Sequence, residues 1–203
     1  MAGITINPSL VTNAPNTFYS TSTGGVQGTL ADNPVSLTGY LRSGIVATNA
    51  TTPMWGGEGV TISLPTSGTE ALEIAAVLTL ASAETNLLGF TVFNQASAMI
   101  QSPQSPVPLA AAGMGINFFE MGSGARIWVQ ATSGVAGALL GGAINQAVYW
   151  DYTNQVLLGS PGGTALPVKV VDVNVGNSQV VTYSSGTGFV TWNRSGSAVL
   201  IEI

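Results

Sequence analysis

The stretch from Arg126 to Ile203 limits what this chain can fold into more than any other. It is a succession of short runs: RIWVQ (126–130), AVYWD (147–151), QVLLG (155–159), PVKVVDVNV (167–175), QVVTYS (179–184), FVTWN (189–193) and AVLIEI (198–203). β-Branched and aromatic residues fill each run and Gly, Ser, Asn or Pro bounds it, the composition of pleated, half-buried strands. Four connections have hairpin length: Tyr152-Thr153-Asn154, Gly176-Asn177-Ser178, Ser185-Gly186-Thr187-Gly188 and Arg194-Ser195-Gly196-Ser197. Short loops with a Gly free to take positive φ join antiparallel neighbours. The last four runs therefore predict a continuous meander. Asp151 opens the first of these turns, where its carboxylate can accept backbone N–H groups two residues on.

The same signals recur upstream. VTISL (60–64) alternates apolar and polar residues, and LLGFTVF (87–93) and GINFFEM (115–121) read as strands. Residues 67–83 carry two conflicting signals. Ser67 and Glu70 have capping-box spacing, whereas Leu72, Ile74, Leu78 and Leu80 repeat every second residue. The period of two favours a strand over 72–80. Three prolines within 101–113 impose a loop, and PMWGGEG (53–59) is a turn cluster that presents Trp55.

Residues 1–50 differ in kind. Thr, Ser, Asn and Gly dominate them, with Pro8, Pro15 and Pro34 interspersed. Such a segment cannot by itself bury enough apolar surface to offset its conformational entropy. An extended N-terminal arm is expected over 1–50 and a β-rich body over 51–203. Phe18, Tyr19, Val35, Leu37 and Tyr40 are the arm residues expected to contact a neighbour, and Trp55 is the body's interface candidate. The predicted fold class is all-β: an antiparallel sandwich or partly open barrel with a C-terminal strand meander, preceded by that arm.

Composition narrows the function. Hydrophobic residues make up 45% and charged residues 6% of the chain, with four basic residues and a net charge of −5. Phosphate-backbone binding needs clustered Lys and Arg, so nucleic acid is not an expected partner. No apolar run is long enough to span a bilayer as a helix, and MAGITINPSL lacks the basic and apolar regions of a secretory signal. Synthesis in a cytoplasm, with no membrane association, is the expectation. A surface so poor in charge is weakly protected against self-association, so a homo-oligomer is expected.

Candidate chemistry is sparse. With no His and no Cys, Ser-His and Cys-His pairs and thiolate zinc sites are excluded. Lys169 is the sole lysine and lies in a Val-rich strand, which suits a surface ammonium better than a dyad. Asp172-Val173-Asn174-Val175-Gly176 begins like a calcium loop, but Tyr183 stands where the bidentate Glu belongs. A hairpin turn explains it better. Gly186-Thr187-Gly188 and Gly162-Gly163 lack the rest of a nucleotide-binding fingerprint. The expectation is a protein with no catalytic residues, no cofactor and no metal. Trp150 and Trp192 read as core residues.

The order from GFTVF (89–93) through GARIWVQATSGV (124–135) and QAVYWDYTNQVLLG (146–159) to PVKVVDVN (167–174) and the closing SAVLIEI resembles tailed-bacteriophage structural cement, or capsid decoration, proteins. The resemblance covers residues 85–203 and rests on the pattern of strands and turns. It implies a β-rich subunit on the outside of the virion that clamps neighbouring major capsid proteins, with a trimer suggested by local threefold sites. A phage tail, baseplate or fibre component, or a carbohydrate-binding surface module, is the alternative expectation.

Overall fold

A computed structural model describes residues 24–31, 40–64, 76–93, 107–160 and 163–203. Phe18, Tyr19, Val35 and Leu37, residues 67–75 and the proline-rich 101–106 lie outside the described residues.

The described chain is mostly β and forms two sheets. Strands β1 (Arg42–Val46), β2 (Gly59–Ser63), β3 (Val77–Leu80), β4 (Gly89–Val92) and β5 (Gly115–Glu120) close into a barrel in the order β1-β3-β2-β4-β5. Strands β6 (Arg126–Ala131), β7 (Tyr149–Asp151), β8 (Val156–Leu158), β9 (Lys169–Tyr183) and β10 (Val190–Glu202) form an open sheet in the order β7-β8-β6-β10-β9. The barrel is closed, and β1/β3 and β6/β8 pair in parallel, so neither sheet is purely antiparallel. One short helix, α1 (Ser133–Leu139), occupies the small-residue stretch after β6. Thr132 caps it, its hydroxyl accepting from the Val135 N–H at 3.3 Å.

Consecutive Phe118 and Phe119 show how the layers divide. Side chains alternate across a strand. Phe118 joins Val46, Met54, Val60 and Leu78 in the barrel core, while Phe119 joins Phe90, Ile127, Val129, Trp150 and Ile201 between barrel and sheet. Both rings are essentially fully buried, each contributing roughly 1.5–3 kcal/mol of apolar transfer. Trp150 meets Phe90 edge to face at 5.0 Å between ring centroids. A smaller cluster gathers Phe93, Val107 and Val181 with Trp55 and Trp192. Trp150 and Trp192 are thus both packed, as their strand positions suggest.

Two parts of the expected layout need correction. The four-strand C-terminal meander is instead one long hairpin, with β9 running 15 residues and β10 13. Gly176-Asn177-Ser178 and Arg194-Ser195-Gly196-Ser197 are not turns. They lie opposite one another, where the pairing passes from Asn193↔Val180 through Gly196↔Ser178 to Ala198↔Asn174. The extra residues are absorbed as bulges, one of them using Gly176 at φ 75°. The supposed start of a calcium loop falls in this bulged strand. Of the three connections in the expected meander, 185–188 makes the turn, with Gly188 N–H donating to Ser184 O at 2.8 Å.

The second correction concerns residues 1–50. Arg42–Val46 is a barrel strand held between β3 and β5. Residues 24–31 lie along the second sheet. Val26 bridges Gln179 and Leu30 bridges Ile127, and Gly28 N–H donates to Trp128 O at 2.7 Å. A Cβ on Gly25 would overlap the Trp128 indole, so this crossing requires a glycine. The described part of 1–50 is therefore built into the body, and the composition shift near residue 50 does not mark a structural break.

At the far end of the sheet, Glu202 on β10 is flanked by its cross-strand partners Arg126 and Lys169. It accepts from Lys169 Nζ at 2.6 Å and Arg126 Nε at 3.0 Å. These bonds, that from Lys169 first, hold its carboxyl below the ordinary glutamate range. Among the described residues no helix is long and apolar enough to cross a membrane.

Candidate functional site

A cleft of about 410 Å³ opens where the barrel meets the second sheet. One wall is the loop between β1 and β2, with Pro53, Trp55 and Glu58. The other comprises Gln130 on β6, Asn154 and Gln155 in the β7–β8 turn, and Val181 to Tyr183 on β9.

The Trp55 wall is fixed by a network that starts at the glycines. Gly57 adopts φ 83°, and its N–H donates to Thr91 O at 2.7 Å. A Cβ on Gly56 would stand 2.8 Å from Gly28 Cα, so side chains are excluded where the two backbones cross. With the chain so reversed, the Glu58 N–H donates to Thr91 Oγ1 at 2.9 Å, and that hydroxyl donates to Trp55 O at 2.6 Å. The Glu58 carboxyl closes the turn on itself, Oε2 accepting the Trp55 N–H at 2.9 Å.

Glu58 is 1% exposed. Desolvation by burial pushes its pKa up to about 8, against which the Trp55 N–H acts only partly. It is therefore a neutral carboxylic acid at pH 7. A neutral acid both donates and accepts hydrogen bonds. Acid–base catalysis on a glycosidic bond needs a second carboxyl opposite the first. Among the described residues lining the cleft, Glu58 is the one acidic side chain.

The opposite wall is fixed by Gln155. Its backbone takes φ 54°, unusual for a residue with a side chain, and the side chain is buried. All four of its hydrogen-bonding positions are used. Oε1 accepts from Gly59 N at 3.0 Å and Trp150 Nε1 at 3.2 Å, and Nε2 donates to Ala81 O at 3.1 Å and Tyr152 O at 3.0 Å. Gly59 and Ala81 belong to the barrel, so this one amide ties the β7–β8 turn to it. Asp151 forms the expected turn, Oδ1 accepting from Thr153 N at 2.9 Å and Asn154 N at 3.0 Å, and Oδ2 from Asn154 Nδ2 at 2.8 Å. Partial desolvation pushes its carboxyl up, but the Asn154 and Thr153 hydrogen bonds outweigh this, and the net shift is below the usual aspartate range.

Trp55 is half-buried and its ring stands 5.9 Å from that of Tyr183, tilted by 42°. Tyr40 is exposed just before β1 and is not among the described residues that line the cleft beside Trp55. Sequence reasoning missed Glu58, Gln155 and Gln130. Glu58 had one visible signal, a lone acid inside a Gly-rich turn. Gln155 had none, because Gly59 and Ala81, which its amide holds, lie far along the chain, and Gln130 had none because the cleft it lines is formed by distant segments. Among the described residues no group of His, Cys, Asp and Glu could hold a metal ion. No protein-family model, curated protein or solved structure matches this chain.

Proposed function

We propose that this protein is a structural virion subunit that binds the outside of a phage capsid and clamps neighbouring major capsid proteins, without catalysis. The observation that carries the reading is the pairing of large exposed apolar side chains with very little charge. Tyr40, Leu41 and Leu64 are 56%, 37% and 82% exposed. Because β1 runs parallel to β3 and β3 antiparallel to β2, the start of β1 and the end of β2 lie at one end of the barrel. Apolar groups gathered in this way mark surfaces covered by a partner. The resemblance over 85–203 favours the same reading.

In this proposal the barrel end and the arm residues Phe18, Tyr19, Val35, Leu37 and Tyr40 contact the capsid or a sister subunit. The subunits associate as homo-oligomers, trimers where the lattice offers threefold sites. Weak contacts repeated around a closed ring give avidity well beyond any single one. The test is to mix purified protein with undecorated heads and image them. Regular density on the shell is the expected result, with occupancy lowered by Leu64→Asp. Bare shells overturn the proposal, and density confined to tails would assign the protein there instead.

A further inference from the structure

The cleft beside Trp55 supports an inference that holds whether or not the protein binds capsids. Its volume, about 410 Å³, falls within the roughly 300–1,000 Å³ of small-ligand sites. Trp55, Pro53 and Leu80 give it apolar surface, and Tyr183 stands beside Trp55 as a second ring. Around them, the Gln130 amide and the Tyr183 hydroxyl make no hydrogen bond to another described residue. Both residues are half-buried. Polar groups held half-open beside aromatic rings are poised to engage a ligand.

The chemistry of that ligand follows by elimination. No basic side chain lines the cleft among the described residues, so an anion would find no counter-charge. Glu58 is 1% exposed and its carboxyl is turned onto the Trp55 N–H, so a cation would find no accessible counter-charge either. A wholly apolar ligand would strip water from the Gln130 amide and the Tyr183 hydroxyl without replacing its hydrogen bonds, which is costly. An extended peptide would need free strand edges, yet the Val181 N–H is already taken by Gln27 Oε1 at 2.8 Å. What remains is a neutral molecule with an apolar face and many hydroxyl groups.

We propose that this cleft binds a neutral oligosaccharide, the Trp55 and Tyr183 rings meeting the C–H face of a sugar and the Gln130 amide and Tyr183 hydroxyl meeting its hydroxyls. Aromatic contact supplies area, and the amide and hydroxyl supply orientation.

The experiment titrates the full chain separately with maltohexaose, cellohexaose and chitotetraose, following calorimetric heat and the indole N–H resonance of Trp55. At least one sugar should bind, shifting that resonance. Trp55→Ala and Gln130→Ala should each weaken binding by roughly tenfold, while Phe189→Ala, at the exposed hairpin tip, should change nothing. Trp55 also packs against Phe93 and Val181, so Gln130→Ala and Tyr183→Phe carry the test if Trp55→Ala does not fold. Absence of binding by all three sugars up to about 10 mM overturns the proposal. So does binding that Gln130→Ala and Tyr183→Phe both leave unchanged.

Discussion

Gln155 Oε1 and Trp150 Nε1 lie 3.2 Å apart, both buried, and the same oxygen also accepts the Gly59 N–H of the barrel at 3.0 Å. One amide thus orients the largest ring of the interlayer core and caps a barrel strand. Gln155→Ala would strand two buried donors and two carbonyl acceptors. A loss of about 3 kcal/mol is expected, read as a lower urea midpoint. Asn154→Ala, on the exposed side of the same turn, should cost less than half as much. Equal costs would show that the turn, not the Gln155 amide, holds the layers together.

Glu58 should make stability depend on pH in the opposite sense to an ordinary carboxylate. Its folded pKa of about 8 lies above the ordinary 4.5. Below 4.5 both states are protonated and the penalty is absent. Between 4.5 and 8 the unfolded chain ionises while the fold does not, so stability falls as pH rises. Above 8 the loss levels off. Glu58→Gln keeps an acceptor for the Trp55 N–H and removes the titration. The variant should therefore overtake the wild type by a few kcal/mol in urea melts at pH 8.5, with little difference at pH 4. Parallel curves across that range would contradict a buried, neutral Glu58.

Truncation separates arm from body. Deleting 1–50 removes β1, exposing the edges of β3 and β5, and with it the 24–31 segment that pairs with β6 and β9. That product should be unfolded or aggregated by circular dichroism and gel filtration. Deleting only 1–23 should leave a folded protein and, under the proposed function, reduce head occupancy. A folded 51–203 fragment would mean the barrel tolerates loss of a strand.

Asp151→Ala should cost about 1 kcal/mol at neutral pH through its three hydrogen bonds. Because its folded pKa is depressed below 3.8, this contribution is complete above the unfolded value and disappears as pH falls through the folded one. Wild type and variant should therefore converge in acid. Unchanged stability at pH 7 with lost head binding would make Asp151 a contact residue instead.

The sequence by itself determined the elements whose signal is local. β-Branched runs located β2, β4, β5, β6, β7 and β8, and the Asp151 turn follows from a carboxylate beside its own chain's N–H groups. In β6, Ile127 and Val129 are buried and Trp128 between them is half-buried, the alternation a strand imposes. Tertiary structure decided whatever depended on distant partners. Gly176-Asn177-Ser178 and Arg194-Ser195-Gly196-Ser197 carry residues that serve equally well in a turn or a bulge, and only their meeting across the ladder makes them bulges in a single hairpin. Arg42–Val46 has little apolar character of its own and becomes a strand because β3 and β5 offer it two edges. Glu58 reads in sequence as one more surface acid. It is buried and neutral because Thr91, thirty-three positions along, and the crossing of Gly28 with Gly56 fold its turn inward, so that its charge is set by surroundings that no local pattern records.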